Sequence, residues 1–410
     1  MSGVGWKPDR SPESGAGPEG AAAAGTATGA GTGPGGDRAR PAGPQGEAGQ
    51  PGARVAGAGP AGGPRRHGPV VVAGDLVLDL VVRVPETLHR GSDTWGALHP
   101  RQGGSAANTA AWLARLGLEV VFAGRVGRDP LGRALASSLA AEGVVVRVVE
   151  DPQLPTGVIL ALVEPDGERS MVIGPGANHR LDPADLPEGL IEEAGFLYLT
   201  AYSFVWPQAR EGAGAALARA RRAGVPVAVD ASSAALLARE GPAELAGRWQ
   251  GVHCLFANEE EARVLAGVAG PEAAARLGRF VPVVGVKAGA RGAYGRAWGR
   301  PWQVDALPLA QVVDTTGCGD AWNAGMLAGL QAGLPAEAAA RLGGFVAAWV
   351  AARPGAVPPG WTEADRRAAW AYAWDAAQGL AGRGSPAGDG GLRPAGDAGG
   401  KGAGGSQGSR

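Results

Sequence analysis

The sequence contains few cysteines and histidines, and it has no long apolar run. Its two cysteines, Cys254 and Cys318, provide neither a disulfide framework nor a zinc ligand set. The five histidines are scattered without ligand spacing, which argues against a structural metal. A formal net charge of -1 does not favour binding of nucleic acid or an anionic membrane. Since no membrane span or signal-peptide pattern occurs either, we expect a cytoplasmic protein with neither of these partners.

Large apolar side chains are scarce at both ends of the chain. Residues 1–67 consist mostly of Gly, Ala, Pro, Arg and Ser, and residues 379–410 have the same character. Such segments cannot bury enough surface to offset the entropy lost on ordering. We therefore expect two disordered tails around a single domain at 68–378.

Three G-x-G-x-x-G patterns lie in the first of these tails and begin at Gly15, Gly31 and Gly57. Dinucleotide binding requires a strand before such a pattern and a helix after it. None of the three has this context, so an oxidoreductase is only a minor hypothesis. A Walker A loop is excluded, because no lysine has the required neighbours.

The central part of the sequence alternates between strand-like and helix-like segments. The apolar strand candidates are residues 70–73, 120–123, 196–200, 225–230, 253–257 and 281–286. The helix candidates are residues 105–116, 130–142, 208–223, 259–265, 320–352 and 363–377. This alternation predicts an α/β fold with a mostly parallel sheet covered by helices on both faces. Residues 75–84 and 94–98, with a hairpin at 157–173, predict a second, small sheet.

The most informative segment is Asp314-Thr315-Thr316-Gly317-Cys318-Gly319-Asp320. The apolar pair Val312-Val313 predicts a strand end before it, and a helix is predicted after it. A turn of small residues at a helix start exposes backbone N–H groups that bind phosphate. Asp320 has two interpretations: an ordinary acidic residue in a first helical turn, or a base facing a hydroxyl that attacks the phosphate. The second interpretation predicts a small-molecule kinase.

Two further segments follow predicted strands and are candidates for nucleotide binding. Asn258 and Glu261 open a helix, either as ordinary helix-start residues or as groups that face phosphates and hold Mg²⁺ through water. Lys287, Gly289 and Gly292 belong to a glycine-rich turn that a nucleotide can approach.

A third group of residues suits a hydroxylated ligand. Gly103 and Gly104 allow close approach to the backbone, and Asn108 follows one helical turn later. The alternative is a simple helix start. Asp79 lies in an otherwise apolar stretch where an unpaired carboxylate is costly, and a sugar diol would satisfy it.

Together and in this order, these segments resemble the PfkB/ribokinase family of carbohydrate and nucleoside kinases over roughly residues 69 to 375. The most specific match is the 314–320 signature. The segments at 103–110 and 258–261 support it, together with Thr156-Gly157-Val158, Gly176-Ala177-Asn178 and Arg353-Pro354-Gly355-Ala356.

The resemblance implies a ribokinase-like three-layer α/β/α sandwich with a small β-sheet lid. It implies ATP as the phosphoryl donor, Asp320 as the base, and the amides of Gly317, Cys318 and Gly319 as an anion hole. Asp314 and the backbone near Thr316 and Gly355 match a site where many members hold a monovalent cation such as K⁺. Asp79, Gly104 and Asn108 match sugar-contacting positions, and Arg169 after the hairpin turn is a further substrate candidate. Homodimers through the lid occur in this family, and the sequence leaves that state open.

Three departures from the family pattern affect the expected chemistry. Cys318 replaces the usual alanine, and a thiol at a helix start is predicted to be unusually reactive. Ser105 replaces a common lysine and Val77 a common polar sugar contact, which weakens the case for ribose or a phosphorylated sugar. The leading hypothesis is phosphorylation of a hydroxymethyl group on a sugar-like substrate. The alternatives are a nucleoside (adenosine-type) kinase and a non-catalytic sugar- or nucleotide-binding regulator.

Overall fold

The computed structural model describes residues 68–85, 88–89, 91–164 and 169–383, with the backbone alone at 169 and 381–383. The strands are β1 (Val70–Ala73), β2 (Val77–Arg83), β3 (Ala97–Gly103), β4 (Val120–Gly127), β5 (Val145–Asp151), β6 (Val158–Val163), β7 (Arg169–Gly174), β8 (Phe196–Thr200), β9 (Val227–Asp230), β10 (Cys254–Asn258), β11 (Val283–Lys287), β12 (Ala293–Ala297) and β13 (Arg300–Val304). The α-helices are α1 (Ser105–Arg115), α2 (Pro130–Ala141), α3 (Pro207–Ala223), α4 (Ala234–Glu240), α5 (Pro242–Arg248), α6 (Glu259–Ala266), α7 (Pro271–Leu277), α8 (Cys318–Gln331), α9 (Ala336–Ala351) and α10 (Glu363–Arg383).

A nine-stranded sheet forms the centre of the fold, in the order β13-β12-β11-β10-β9-β8-β1-β4-β5. The seven strands from β11 to β5 are parallel, and β12 and β13 add an antiparallel edge. In a parallel sheet the carboxyl ends of the strands lie along one edge, where ligands bind in open α/β folds. Strands β9, β10 and β11 bring Asp230, Asn258 and Lys287 to that edge.

Alternation along β1 shows how the sheet is buried on both faces. Val70 and Val72 belong to the core under α1, α2, α8, α9 and α10. Val71 and Ala73 belong to a second core under α3 to α7. All four side chains are fully buried, because a parallel strand between two helical layers has no solvent-facing side. The expected three-layer α/β/α sandwich is therefore confirmed.

The small sheet has four strands in the order β3-β2-β6-β7. Strand β2 pairs antiparallel with β3 and parallel with β6, and β6 pairs antiparallel with β7. This sheet is the predicted lid, and its second strand carries Asp79. Gly103, the last residue of strand β3, is separated from α1 by Gly104 alone.

Some sequence predictions of local structure were wrong. Val312 and Val313 are not in a strand: they lie in an irregular segment between β13 and α8, and they are 56% and 50% exposed. β-Branched residues favour strands only where partner strands and burial are available, and neither is present there. The lid strand β3 begins at Ala97 rather than at Thr94, and the long helix predicted to Ala352 is two helices separated near Pro335.

The predicted tails fall mostly outside the described residues. Residues 1–67 and 384–410 are not described, and α10 continues to Arg383, past the predicted boundary at 378. The division into tails and domain stays a prediction. Among the described helices, none is both long enough and apolar enough to cross a membrane.

Candidate active site

The first turn of α8 offers unpaired backbone amides. Gly317 caps this helix in the left-handed conformation, with φ 74°, and Cys318, Gly319 and Asp320 follow as its first residues. The Cys318 amide donates to the Thr315 carbonyl at 3.2 Å. No protein group in the described part of the chain accepts from the amides of Gly317, Gly319 or Asp320. A helix start of this kind attracts anions through its amides and its dipole.

Glycine is the only residue type that fits position 317 of this turn. A Cβ on Gly317 would lie 2.4 Å from both Cα and Cβ of Ala356. Ala356 is held in turn by the Trp112 indole, whose Nε1 donates to the Ala356 carbonyl oxygen at 2.9 Å. The T-shaped packing of Trp112 on Trp349 and Trp361 buries this indole. Helix α1 therefore supports the wall behind residues 314–320, which we call the anion-binding turn after its predicted role.

Asp320 is held by two side chains of α1. Ser105 Oγ donates to Asp320 Oδ1 at 2.6 Å, and Asn108 Nδ2 donates to Oδ2 at 2.9 Å. Burial raises the pKa of Asp320 to about 7, although both hydrogen bonds oppose that rise. A carboxylate with this pKa exchanges a proton readily near neutral pH, as a general base must.

Two carboxylates lie at the start of α1, and sequence reasoning recognised only one of them. Asp75 accepts from the Ser105 amide at 2.8 Å and the Ala106 amide at 3.3 Å, and so caps α1. Asp79 lies against Gly103, since a Cβ there would be 2.1 Å from the Asp79 carboxyl carbon. Burial, with a smaller effect of Asp75, raises the pKa of Asp79 to about 6. Among the described residues, none donates a hydrogen bond to Asp79, which leaves its carboxylate available for a ligand.

Gly104 joins this cluster through its backbone. It has φ 101°, and a Cβ on it would lie 2.4 Å from the Asp75 carbonyl oxygen. The structure thus brings Gly103 against Asp79 and bonds Asn108 to Asp320. A role of Asp79, Gly103, Gly104 and Asn108 in substrate binding stays a prediction. Asp75 was missed, although an aspartate directly after a buried strand and a glycine was an available signal. The side chain of Arg169 lies outside the described residues, so its role stays a prediction.

Lys287 points into the protein rather than toward the glycine-rich turn that follows it. Its Nζ donates to Asp230 Oδ1 at 3.0 Å and to Asn323 Oδ1 at 3.1 Å. Asn323 Nδ2 also donates to Asp230 at 2.8 Å and to Tyr198 Oη at 3.0 Å. Asp230 and Asn323 are functional candidates that sequence reasoning missed, although each lies near a predicted feature: a strand end and the first turns of α8.

Asn258 and Glu261 form a reciprocal helix cap. Asn258 Oδ1 accepts from the Glu261 amide, and Glu261 Oε2 accepts from the Asn258 amide, both at 2.8 Å. This confirms the structural interpretation of the pair. Glu261 is buried, and burial together with the nearby Asp230 raises its pKa even though Lys287 opposes the rise. A role in holding Mg²⁺ through water stays a prediction, as does nucleotide binding by the turn at Gly289 and Gly292.

The predicted monovalent-cation residues are joined by one carboxylate. Asp314 Oδ1 accepts from the Thr316 amide at 2.9 Å and from Thr316 Oγ1 at 2.6 Å, and Oδ2 accepts from the Gly355 amide at 3.0 Å. Asp314 therefore ties the anion-binding turn to the loop before α10. No cluster of three or more His, Cys, Asp or Glu side chains suited to a metal ion occurs in the residues that the structure describes.

The predicted reactivity of Cys318 is not supported. Burial, with added repulsion from Asp314 and Asp320, raises the pKa of the Cys318 thiol to about 11. Burial and the two carboxylates together therefore keep the thiolate scarce at neutral pH.

Solved structures of similar fold are kinases. Adenosine kinase from Sinorhizobium meliloti is 28% identical with a TM-score of 0.66, over 73% of this chain and 99% of that chain. Ribokinase from Arabidopsis thaliana, complexed with ribose and ATP, is 27% identical with a TM-score of 0.60, over 75% of this chain and 98% of that chain. The fold is ribokinase-like, and the class of protein is a carbohydrate kinase.

Sequence comparison gives the family. The model of the pfkB family of carbohydrate kinases matches residues 69–363. A fructokinase from Klebsiella pneumoniae is 33% identical over 286 residues, which cover 64% of this chain and 85% of that protein. A ribokinase from Arabidopsis thaliana is 30% identical over 275 residues, covering 62% of this chain and 69% of that protein. The chain belongs to the pfkB carbohydrate kinase family, as the resemblance of its motifs predicted.

Proposed function

We propose that the protein transfers the γ-phosphoryl group of ATP to a hydroxymethyl group of an unphosphorylated sugar or sugar-like substrate. The observation that carries this proposal is the position of Asp320. Its carboxylate lies at the N-terminal end of α8, where backbone amides are unpaired. It is held by Ser105 and Asn108 from α1, the helix next to the lid. Donor phosphates at the helix start and an acceptor at Asp79 would therefore meet at Asp320.

The chemistry assigned to these residues follows from their positions. The acceptor hydroxyl gives its proton to Asp320 as its oxygen attacks the γ-phosphorus. The amides of Gly317 and Gly319 and the positive end of the α8 dipole offset the charge of the phosphoryl oxygens. Asp79 and Asn108 hold the neighbouring hydroxyl groups of the acceptor.

ATP as donor is supported by the similar Arabidopsis ribokinase, whose structure contains ribose and ATP. Mg²⁺ bound with ATP would neutralise part of the phosphate charge, and this ion usually keeps several coordinated water molecules. Glu261 is the group on this chain that we assign to those waters. A monovalent cation such as K⁺ would be held by the backbone around Thr316 and Gly355, which Asp314 ties together.

The class of acceptor differs between the sequence relatives and a structural neighbour. The fructokinase and ribokinase relatives favour a sugar. The S. meliloti adenosine kinase neighbour, which this chain matches over 99% of its length, favours a nucleoside as the second candidate.

The test is an ADP-release screen of the purified protein with fructose, ribose, other sugars, sugar acids and adenosine. It is run with Mg²⁺ throughout, and with K⁺ or Na⁺ as the monovalent cation. We expect ADP release with a sugar and a matching phosphorylated product by mass spectrometry. If ligands stabilise the protein but no acceptor releases ADP, the binding-regulator alternative is correct and the proposal is wrong. Stimulation by K⁺ over Na⁺ would support the cation site.

Association through the lid is also part of this proposal. On its edge strand β7, Met171, Val172 and Ile173 are 59%, 66% and 55% exposed. Successive side chains on a strand point to opposite faces of the sheet, so these three residues make both faces of the lid edge apolar. Only one of these faces can be turned toward the acceptor site, which leaves the other exposed. A second lid would cover it. Analytical ultracentrifugation of the parent and of Val172→Glu tests this, and a parent that sediments as a monomer would contradict it.

A further inference from the structure

Lys287 is the one lysine among the described residues, and its ammonium lies at the start of α8. We propose that Lys287 is a further catalytic residue, which binds the phosphoryl group while it is transferred. This inference rests on the proposed function and deepens it: it assigns Lys287 to the reacting phosphoryl group rather than to the base or ribose of the nucleotide.

The geometry places the ammonium beside the unpaired amides. A Cβ built on Gly319 would lie 3.5 Å from Lys287 Nζ. Gly319 has no side chain, so nothing on this residue fills the space between the ammonium and the helix start. An anion bound to the Gly319 amide would therefore be within reach of both groups.

The direction of the ammonium is fixed by two partners. Asp230 and Asn323 accept two of its three protons at 3.0 and 3.1 Å. Asn323 is itself held by Tyr198 and Asp230. In the described part of the chain, no group accepts the third proton, which remains for a ligand.

A purely structural role explains this arrangement poorly. Lys287 and Asp230 have side chains that are only 16% and 6% exposed, and a buried ion pair seldom stabilises a fold more than apolar side chains of the same size. Burial lowers the pKa of Lys287, but Asp230 and Glu261 outweigh it and raise the pKa overall. The ammonium thus stays charged at neutral pH. Perturbed, buried charges in a cleft are typical of functional sites.

The electrostatics of the step also call for this cation. In the transfer, a bond forms between the acceptor oxygen and the γ-phosphorus while the bond from that phosphorus to the ADP oxygen breaks. The acceptor proton passes to Asp320, and Lys287 keeps its protons. Lys287 adds a cation of the chain itself where the incoming phosphoryl oxygens approach the carboxylates of Asp230 and Asp320.

The experiment compares the parent with Lys287→Met, Lys287→Arg and a surface control, Arg263→Met. Among the described residues, Arg263 forms an ion pair with exposed Glu260 on α6. We expect Lys287→Met to lower kcat by about 100- to 1000-fold, as for loss of one preorganised donor, with little change in the KM for ATP. Lys287→Arg should recover part of kcat, and the control should match the parent.

A binding measurement separates the transferred group from the nucleotide. We expect Lys287→Met to weaken binding of ADP with aluminium fluoride, a mimic of the transferring phosphoryl, and to leave binding of ADP alone nearly unchanged. Equal weakening of both, or turnover equal to the parent, would overturn the inference. A parent enzyme that releases no ADP with any acceptor would instead contradict the proposed function.

A second variant, in which both Lys287 and Asp230 lose their charge, serves as a control for misfolding. If Lys287→Met does not fold, the double variant Lys287→Met with Asp230→Asn removes both charges of the buried ion pair. We expect that variant to fold and to bind ADP but not its aluminium fluoride complex. Parental affinity for the complex would overturn the inference.

Discussion

Asn108 Nδ2 and Asp320 Oδ2 are 2.9 Å apart, although 212 residues separate them in the chain. The bond joins the helix that follows the lid to the helix that starts at the anion-binding turn. It gives the assigned base a fixed direction, since Ser105 holds the other carboxylate oxygen. In the proposed reaction, this one carboxylate therefore connects the acceptor side and the donor side of the site.

The first prediction concerns Asp320. Asp320→Asn should lower kcat by about 100- to 10,000-fold, the usual contribution of a general base, because the amide cannot accept the proton. The raised pKa means that the ionised carboxylate costs stability in the folded state, so the variant should be at least as stable as the parent at pH 8. Steady-state kinetics and urea unfolding check both points. Parental turnover in the variant would contradict the assignment.

The pH dependence follows from the same residue. Asp320 must be ionised to act, and its pKa is about 7. As pH falls below 7 the ionised fraction falls, so kcat should decrease tenfold for each pH unit well below that value. A profile that is flat between pH 5 and pH 8 would show that Asp320 does not limit the reaction.

Asp79 should control acceptor affinity rather than the chemical step. Asp79→Asn is expected to raise the KM for the acceptor about 10- to 100-fold, the effect of losing a charged hydrogen bond, with a smaller change in kcat. Asp93→Asn, in an exposed segment near the lid, is the control. Because the pKa of Asp79 is about 6, the KM of the parent should also rise below pH 6. An unchanged KM in the variant would remove Asp79 from the acceptor site.

Gly317 and Gly344 make a matched pair for the anion-binding turn. Gly317→Ala places a Cβ 2.4 Å from Ala356 at a residue with φ 74°, and should cost about 1 to 3 kcal/mol of stability and most of the turnover. Gly344 is in the middle of α9 with nothing within 4 Å. Gly344→Ala should therefore stabilise by about 0.5 to 1 kcal/mol and leave turnover unchanged. Urea unfolding with an ADP-release assay measures both, and full activity in Gly317→Ala would argue against this turn as the anion site.

A stability prediction concerns Arg125, away from the site. It pairs with Asp151 at 3.0 Å and Asp185 at 2.7 Å, and both carboxylates are buried. Arg125→Met removes the cation that the two buried carboxylates share and should cost about 3 to 5 kcal/mol. Arg263→Met breaks an exposed pair and should cost no more than about 1 kcal/mol. Equal losses in urea unfolding would contradict the difference in burial.

Cys318 gives a chemical test. With a pKa of about 11, the native thiol should react slowly with iodoacetamide at pH 7.5, and the unfolded chain should react quickly. Cys318→Ala should keep most of the turnover, because the turn uses the backbone of this residue. Fast labelling of the native protein, detected by mass spectrometry, would restore the original expectation of a reactive thiol.

The sequence was most informative where the relevant residues are adjacent. The turn at 314–320 and the cap at Asn258 and Glu261 are local patterns, and each has the predicted helix start. Asp230, Asn323 and Lys287 meet across 57 and 93 residues, and no spacing rule connects them. Their grouping depends on which strands are neighbours, which the alternation of strands and helices did not specify.

The errors have a physical cause as well. The strand predicted at Val312 and Val313 rested on side-chain type, but a strand forms only with hydrogen-bonded neighbours. The reactive thiol predicted at Cys318 considered the helix dipole alone. Burial of the sulfur, with Asp314 and Asp320 nearby, reverses that effect, and both follow from the fold of the turn.

Gly104 has a mechanical consequence. It is the one residue between the lid strand β3 and helix α1, and its φ of 101° belongs to a backbone region in which glycine turns freely. The start of α1 is clamped by Asp75, through the amides of Ser105 and Ala106. A rotation of the lid at this end of β3 would therefore move Asp79 relative to Asp320, which Ser105 and Asn108 hold. At this junction, one glycine lies between the strand pairing with the proposed acceptor-binding Asp79 and the helix that holds the proposed base.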